Sequence, residues 1–417
     1  MSKSDDKKRI VITGIGVVSS IGIGKEAFWD ALAKGRSGIK PVTLFDVSSV
    51  RSKLAGEISD FNPAAILGPK GLRNLDRTTT LALSAAKLAL DDAGFQVTAD
   101  NADNVGVVLG STMGSVWSIS EFDKEGIRNG PKSVNPALFP NTVMNSPASQ
   151  ISIRFGIKGF NTTISTGFTS SLEALAYAET FISLGRADAV LVGGVEELCE
   201  QTYKGCYKTG FLSGSRNGGS ELCAPFDSRH NGIILGEGSA IFLIESFEHA
   251  AGRNAHIYGE LKGRGSAHDS LSFNRYNPKA TGAKLAIGRA VSVSGVALDD
   301  IDYVAAGANS TLGGDVAEAR ALESVIGSRG KITASASKSM TGETFSAGGA
   351  FQIASALMTL QNGIIPPTIN FKKQDRRCQT VDCVPNEARR EKIKNILVSN
   401  LSPMGQNSFA ILSGSDT

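Results

Sequence analysis

The hydrophobic positions of this 417-residue chain form short continuous runs that alternate with longer amphipathic segments. Continuous apolar runs, such as 105–110 (VGVVLG) and 187–195 (ADAVLVGGV), predict strands that are buried on both faces. Segments with helical spacing of apolar residues lie between such runs, as in 75–94 and 170–184. Strands and helices in alternation predict an α/β protein with a parallel or mixed sheet covered on both sides.

This alternation occurs twice along the chain, with no low-complexity linker between the two series. The second series predicts helices at 283–294, 315–326 and 348–361 and strands at 257–265, 301–308, 332–337, 396–400 and 407–413. Two comparable series without a linker suggest an internal duplication whose halves pack as one body. We place the boundary near residue 255, with an N-terminal half at 1–255 and a C-terminal half at 256–417.

Composition and charge limit the classes of function that this chain could have. The chain is 41% apolar and 20% charged and has 47 glycines, which is typical of a compact, turn-rich α/β protein. Its net charge of +3 is too small to indicate nucleic-acid binding, but it allows a local basic surface for an acidic protein partner. The charged N-terminus, residues 1–9, lacks the apolar core of a signal peptide, and no apolar run approaches the ~18 residues of a membrane span. We therefore expect a cytoplasmic protein that does not bind a membrane.

Cysteine and histidine usage predicts no metal site. The cysteines are odd in number, and Cys378 and Cys383 are separated by a spacing that fits no common zinc pattern. We interpret all five as reduced thiols: Cys199, Cys206, Cys223, Cys378 and Cys383. The four histidines fall in loops or polar connections and are predicted to be surface or loop residues rather than catalytic ones: His230, His249, His256 and His268.

The segment from Asn161 to Leu172 (NTTISTGFTSSL) reads as a β-branched strand, a sharp turn of small residues and the start of an alanine-rich helix. A side chain at such a turn stands at a helix N-terminus, where the helix dipole and free backbone N–H groups favour an anion. A thiol or hydroxyl nucleophile is the residue expected at the apex. Phe168 occupies that position. A phenyl ring can neither attack nor ionise.

A glycine-rich stretch near the N-terminus invites a dinucleotide-binding interpretation. In residues 9–20 (RIVITGIGVVSS), Gly14 and Gly16 follow a predicted strand. Ser19 stands where the third glycine of the GxGxxG pattern belongs, so the pattern is incomplete. We expect no cofactor.

Motifs along almost the whole chain resemble those of the β-ketoacyl-acyl carrier protein synthases, or ketosynthases. They run in order through residues 11–19 (VITGIGVVS), 31–38 (ALAKGRSG), 76–77 (DR), 85–94, 165–171 (STGFTSS), 192–194 (VGG), 225–229 (PFDSR), 236–238 (GEG), 315–318 (DVAE) and 338–342 (KSMTG). The resemblance implies the thiolase fold, in which two duplicated α/β halves form five layers, αβαβα. It also implies dimerisation through the strand that precedes the nucleophile turn.

Active members of this family use a Cys-His-His set, in which the cysteine takes the acyl chain from a carrier protein and the histidines stabilise developing negative charge. The resemblance places the cysteine at Phe168, the first histidine at Gly307 and the second at Glu343. We therefore expect no catalytic residue at the three family positions. Lys338 is retained, and we hypothesise that it pairs with Glu343. Met404 stands where the family has a gating phenylalanine.

The loss of all three residues and the gate resembles the chain length factors of type II polyketide synthases. These silent subunits pair with an active ketosynthase as a heterodimer and shape the tunnel that sets polyketide chain length. The usual member carries glutamine at the cysteine position, and Phe168 departs from this pattern. Two alternatives stay open: a stand-alone acyltransferase, decarboxylase or hydrolase that uses other residues, and a homodimer that binds an acyl group or carrier protein without chemistry.

Two interpretations of Phe168 also stay open: a plug that closes the subunit's own pocket, or core packing that followed the loss of catalysis. The hydroxyls of Thr166, Thr169 and Ser170 are the nearest substitutes for a nucleophile, but each needs a base that Gly307 and Glu343 no longer provide.

The resemblance places the tunnel wall and the dimer interface at 110–120 and 136–145. The bulky residues there, with Met404 as gate, are our candidate tunnel residues: Met113, Trp117, Leu138 and Phe139. We favour Trp117 and Phe139 because large aromatic rings form a fixed wall, whereas methionine adapts. The expected partners are an active ketosynthase and an acidic acyl carrier protein. Basic positions that could help to dock the carrier protein are Arg36, Lys70, Arg73, Arg77, Lys204 and Lys208.

Overall fold

The computed structural model describes residues 8–216, 219–271, 273–326 and 329–414, so most of the charged N-terminal segment considered above lies outside it. The strands in these residues are, in chain order, β1 Ile10–Ser19, β2 Gly22–Ile23, β3 Lys40–Pro41, β4 Leu54–Ala55, β5 Val105–Gly110, β6 Asn161–Ile164, β7 Ala189–Glu196, β8 Gly238–Ser246, β9 Gly259–His268, β10 Tyr303–Ala305, β11 Ile332–Ser335, β12 Ile364–Ile365, β13 Val381–Cys383, β14 Arg389–Arg390, β15 Asn395–Leu401 and β16 Gln406–Ser413.

The α-helices of the same residues lie between these strands. They are α1 Lys25–Ala33, α2 Pro63–Leu67, α3 Arg77–Asp92, α4 Val116–Asn129, α5 Ser146–Phe155, α6 Ser170–Ser183, α7 Glu200–Lys208, α8 Phe247–Gly252, α9 Thr281–Ser294, α10 Leu312–Leu322, α11 Lys338–Thr341 and α12 Gly348–Asn362. Short 3-10 helices lie at Ala102–Asn104, Pro131–Ser133, Pro136–Thr142, Gly167–Thr169, Leu298–Asp300, Glu323–Val325, Phe345–Ala347 and Arg376–Cys378.

A mixed sheet of twelve strands joins the two series of elements. Its order is β13-β11-β10-β15-β16-β9-β1-β8-β7-β5-β6, and β2 pairs with β1. Strand β1 links the halves, because it pairs antiparallel with β8 along its whole length and with β9 at Ile10–Ile12. Within the described part of the chain, strand β6 pairs with β5 alone and forms one edge of the sheet.

Successive side chains along each strand point to opposite faces of the sheet. The helices that they contact on each face show that the elements form five layers. In β5, Val107 and Leu109 pack with helix α3 in one buried cluster, whereas Val108 packs with α6 in another. In β15, Leu397 packs towards α9 and α10, whereas Ile396 joins the cluster that contains α6 and α12. Helices α6 and α12 are therefore the central layer, with a sheet region and an outer helical layer on each side. The predicted α/β thiolase fold with its five-layer αβαβα arrangement is confirmed.

The glycines that suggested a dinucleotide site instead allow helix α3 to approach β1. A Cβ atom at Gly16 would lie 1.9 Å from the carbonyl oxygen of Ala85, and one at Gly14 would lie 2.3 Å from that of Ala89. Glycine is therefore needed at both positions for close helix–strand packing, which explains the motif without a nucleotide.

Most predicted elements are present in the structure, whereas twelve elements were not predicted: the helices α2, α4, α5, α7, α8 and α11 and the short strands β2, β3, β4, β12, β13 and β14. The predicted helix at 75–94 is Arg77–Asp92, and it begins after Asp76, whose side chain accepts a hydrogen bond from the N–H of Thr79. The five cysteines are all free thiols. In the described ranges no helix is long and apolar enough to cross a membrane, and no group of three His, Cys, Asp or Glu side chains could hold a metal ion.

Candidate functional site

The turn between β6 and α6 places Phe168 at the expected apex. Gly167 has a positive φ of 64°, which favours glycine. A Cβ atom there would lie 2.7 Å from Cε of Met404, so the position also has no room for a side chain. The hydroxyl of Ser170 accepts the N–H of Thr166 at 3.0 Å and donates to the carbonyl of Gly167 at 2.6 Å. These bonds hold the turn at the start of the helix.

The ring of Phe168 is 3% exposed and packs among other aromatic rings. Its centroid lies 5.1 Å from that of Phe345 and 6.2 Å from that of Phe211. The Nζ atom of Lys338 lies 5.9 Å from the same centroid, at the outer limit of a cation–π contact. The apex of the turn therefore belongs to a hydrophobic cluster and offers no reactive group.

Behind this ring, Lys338 and Glu343 form a buried ion pair, which confirms the hypothesis drawn from the sequence. Nζ of Lys338 lies 2.9 Å from Oε2 of Glu343, and the two side chains are 2% and 0% exposed. The Glu343 carboxylate also accepts Nδ2 of Asn309 at 2.8 Å and the backbone N–H of Phe345 at 2.9 Å. The negative charge of Glu343, at the second histidine position, is thus balanced by Lys338, and its carboxylate oxygens are hydrogen-bonded.

The backbone at Gly307 leaves no room for a side chain. A Cβ atom there would lie 2.7 Å from the carbonyl oxygen of Ser399 and 3.1 Å from Cα of Asn400. The N–H of Gly307 donates to Oε1 of Glu318 at 2.8 Å. Burial raises the pKa of Glu318 to about 7, partly offset by its hydrogen bonds from Ser399 and Gly307. A histidine at the first histidine position would require the chain around Ser399 to move.

The nearby hydroxyls have no base. The Thr169 hydroxyl bonds to the carbonyl and hydroxyl oxygens of Thr166 at 2.9 and 3.2 Å, and that of Ser170 bonds within the turn. In the residues that the structure describes, neither an imidazole nor a carboxylate hydrogen-bonds to any of the three. The arrangement does not activate a hydroxyl nucleophile.

A cavity of about 560 Å³ lies over Phe168. Phe168 and Phe345 form part of its wall with Met113 and Met404, whereas the buried Lys338–Glu343 pair does not line it. The two rings therefore stand between the cavity and the charged pair, and a ligand in the cavity meets aromatic carbon.

The candidate tunnel residues lie in different cavities or on the surface, not in one pocket. Met113 and Met404 line the cavity over Phe168. Trp117 lines two further cavities of about 490 and 540 Å³, and Leu138 lines the larger of these. Phe139 lies on the surface beside Phe122, with ring centroids 5.9 Å apart. All of them except Met404 are at least one-third exposed in the single chain.

Two acidic residues of this region were missed in the sequence. Glu197 is buried beside Trp117, whose backbone N–H donates to Oε1 of Glu197 at 3.1 Å, and Glu197 lines the cavity of about 490 Å³. Burial raises the pKa of Glu197 to about 7, and the charge of Asp76 adds to this effect. Glu196 accepts the N–H groups of Thr112 and Met113 at 3.1 and 2.9 Å. The sequence signal that could have revealed these two residues is a pair of adjacent glutamates at the end of a predicted strand.

His230 lies in a loop, as predicted, but it is not a surface residue. Its ring is fully buried, with Nδ1 2.9 Å from Asp315 and Nε2 3.0 Å from Asp375. His256 is exposed in a loop and His268 is exposed at the end of β9, whereas His249 is partly buried in α8. His230 lies in a structural network of carboxylates and not in the cavity over Phe168.

Comparison with known proteins gives concordant matches over the chain. Residues 7–250 match the sequence profile described as "Beta-ketoacyl synthase, N-terminal domain", and residues 258–372 match "Beta-ketoacyl synthase, C-terminal domain". The 3-oxoacyl-(acyl-carrier-protein) synthase 2 of Coxiella burnetii is 35% identical over 411 residues, which is 98% of this chain and 99% of that protein.

Two solved structures are similar over nearly the whole chain. The ishigamide ketosynthase/chain length factor superposes with a TM-score of 0.91 at 29% identity, covering 98% of this chain and all of that chain. A type II polyketide synthase acyl-carrier protein in complex with its ketosynthase, bound to the hexaketide, superposes with a TM-score of 0.90 at 26% identity and the same coverage.

Proposed function

Because the chain belongs to the beta-ketoacyl synthase family, we propose that it is a non-catalytic chain length factor. It pairs with an active ketosynthase of a type II polyketide synthase and shapes the tunnel in which the partner's product grows. One observation carries this proposal: an aromatic ring, a crowded glycine and a neutralised carboxylate occupy the positions that the family uses for its cysteine and two histidines.

The edge of the sheet supports pairing with another chain. Among the residues that the structure describes, strand β6 has a hydrogen-bonded neighbour on one side only, and an unpaired strand edge is a template for a second chain. Helix α5 packs against β6, and the 3-10 helix Pro136–Thr142 packs against both α5 and α4. This part of the chain, residues 113–153, exposes large apolar side chains: Met113, Trp117, Ile127, Leu138, Phe139, Val143, Met144 and Ile153. Exposed apolar surface beside a free edge is typical of a subunit interface.

Trp117 is the residue best placed to limit chain length. It lines both cavities at this surface, and it is 51% exposed when the chain is alone. A large indole at the end of a partner's tunnel would fill volume that a longer product needs. We propose the same role for Phe139, because its ring packs against Phe122, which lines the larger of these cavities.

Co-expression with a ketosynthase that retains Cys-His-His tests the proposal. We expect an equimolar complex, and we expect Trp117→Ala in that complex to give a longer product. Leu285→Ala is the matched control, since Leu285 is equally exposed but lies on α9, in an outer layer of the other half. A homodimer that turns over a carrier-protein thioester without a partner would refute the proposal and favour the stand-alone enzyme.

A further inference from the structure

Helix α4 carries Trp117 in its first turn, but little side-chain burial fixes this helix in the single chain. The structure describes all 14 residues of α4, and Ser118 is the one among them that is buried. Trp117 itself is 51% exposed. Because tertiary packing supplies most of the stability of a helix in a protein, a helix with so little burial depends on whatever else holds its ends. The position of the indole therefore depends on the contacts at the N-terminus of α4.

A carboxylate from another element holds this N-terminus. The first N–H groups of a helix have no acceptor within the helix. The N-cap residue Ser115 accepts none of them, because its hydroxyl is bonded to that of Ser118 at 2.9 Å. The Glu197 carboxylate, which follows β7, instead accepts the backbone N–H of Trp117 at 3.1 Å. A negative charge at this end of a helix is also stabilised by the helix dipole.

The neighbouring glutamate holds the loop that leads into α4. Glu196 accepts the N–H groups of Thr112 and Met113 at 3.1 and 2.9 Å. It also accepts the hydroxyl of Ser346 at 2.7 Å, so the loop is tied to the interior of the subunit. Of the two glutamates, Glu197 is the one that is bonded to the helix itself.

Glu197 lies among other acidic side chains. It is 5% exposed and lines the cavity of about 490 Å³. Asp76 and Glu200 line the same cavity. Arg77 lines it as well, but its guanidinium is paired with the buried carboxylate of Glu237 at 2.5 Å. The bond to the helix N-terminus is therefore an important compensation for the buried Glu197 carboxylate.

These surroundings make the ionisation of Glu197 measurable near neutral pH. Burial, together with the charges of Asp76 and Glu196, raises the pKa of Glu197 to about 7, against the hydrogen bonds from the Trp117 N–H and the Thr78 hydroxyl. Above this pH the group is a carboxylate, and below it the group is protonated. The change of charge occurs at the atom that accepts the N–H of Trp117.

We propose that Glu197 is a positioning residue for chain length: its bond to the backbone N–H of Trp117 fixes the indole where it limits the length of the partner's product. This inference rests on the proposed function, which assigns the limiting role to Trp117. Glu197 acts through Trp117 and not on the product. Its removal should therefore lengthen the product only while the indole is present.

Product analysis of purified complexes with a ketosynthase tests this dependence above the pKa of Glu197. We expect Glu197→Ala to raise the ratio of longer to normal product about tenfold, equivalent to about 1.4 kcal/mol, through loss of one charged hydrogen bond. Glu197→Gln keeps an acceptor oxygen and should stay within about twofold of wild type. In a Trp117→Ala background, Glu197→Ala should cause no further change, because two residues that act as one unit are not additive.

Glu200→Ala is the matched control. It removes a carboxylate from the same cavity, but this carboxylate binds Lys204 and not the helix N-terminus. The ratio of longer to normal product should stay within about twofold of wild type, as expected when a partly exposed ion pair is removed.

A second measurement uses the full chain without a partner. The chain has two tryptophans, so labelling with tryptophan that carries ¹⁵N at its backbone nitrogen gives two N–H signals by nuclear magnetic resonance. Trp29→Phe identifies the signal of Trp117. We expect this signal to titrate with a midpoint near pH 7, and we expect Glu197→Gln to abolish the titration. The signal of Trp29, which lies on α1 and does not line the cavity, is the internal control.

A Trp117 N–H signal that titrates identically in Glu197→Gln, or does not titrate in the wild-type chain, would overturn the proposal. An unchanged product in the Glu197→Ala complex would overturn it too, provided that Trp117→Ala lengthens the product. An effect of Glu197→Ala that persists without the indole would show that Glu197 acts by another route. If Trp117→Ala itself leaves the product unchanged, the role of Trp117 in the proposed function fails, and this inference fails with it.

Discussion

Separating the buried pair Lys338–Glu343 should destabilise the protein far more than removing both charges together. The pair is at most 2% exposed, and its N···O distance is 2.9 Å. At this distance and an effective dielectric constant of about 20, the Coulomb attraction is about 6 kcal/mol, which is similar to the desolvation cost of burying two ions. The intact pair therefore contributes little net stability, but either charge alone is left buried without compensation.

We expect Lys338→Met and Glu343→Gln each to lower the free energy of unfolding by about 3–5 kcal/mol. The double variant should cost clearly less than the sum of the two, with a coupling energy of at least about 2 kcal/mol. Glu343→Gln keeps an oxygen that can accept from Asn309 or Phe345, so its cost comes mainly from the lost charge.

Equilibrium unfolding in guanidinium of the four proteins measures this cycle. The matched control is the exposed pair Lys87–Asp91 on α3, for which Lys87→Met and Asp91→Asn should couple by no more than about 0.5 kcal/mol. A coupling below that value at Lys338–Glu343, or a fully stable Lys338→Met variant, would show that the site is hydrated and that the two charges are independent.

Three further predictions concern the other family positions and the buried histidine. Phe168→Cys should not condense malonyl units in a carrier-protein assay, because no histidine occupies the other two positions; condensation would show that the site is misplaced. Gly307→Ala should destabilise by about 1–3 kcal/mol in thermal unfolding because its Cβ meets Ser399, whereas Gly288→Ala, at an open position of α9, should stabilise by up to about 1 kcal/mol. Burial alone would lower the pKa of His230, but the hydrogen bond to Asp315 and the charges of Asp315 and Asp375 outweigh burial and the Arg377 charge and raise it. Its contribution to stability is therefore complete below the unfolded pKa of about 6.5 and lost as pH rises through the folded value, so denaturant titrations at pH 6 and pH 9 should show a decrease that His230→Gln abolishes.

The central elements could be predicted because their side-chain patterns are unambiguous. The apolar run Val105–Gly110 is a strand with the predicted ends, and the alanine-rich segment after Phe168 is the helix Ser170–Ser183. The strand is buried along its whole length, and the helix buries most of its apolar side chains. Helix α4, Val116–Asn129, was not predicted because it is mostly polar and contains Gly126, a residue with low helix propensity.

The sequence shows which residue types occupy the site, but it does not show which distant segments pack against them. The Lys338–Glu343 pair followed from two opposite charges at short spacing in one motif. The rings that cover Phe168 come from distant segments, and the crowding at Gly307 depends on the path of a strand about ninety residues away. Burial of His230 likewise depends on Asp315 and Asp375, which only the fold brings together.

Some predictions stay predictions. The division of the chain near residue 255, the tunnel roles of Met113, Trp117, Leu138, Phe139 and Met404, and the cytoplasmic location each need an experiment on the protein. The choice between plug and core packing at Phe168 also stays open: the ring belongs to a hydrophobic cluster and forms part of the wall of the cavity, and both interpretations agree with this placement.

Intact-protein mass spectrometry of the purified chain, without a ketosynthase, tests the loss of thioester chemistry most directly. After incubation with acetyl and malonyl thioesters of an acyl carrier protein, we predict that the mass of the chain is unchanged. An added acyl mass, retained after denaturation and located on any residue near Phe168, would contradict a silent subunit.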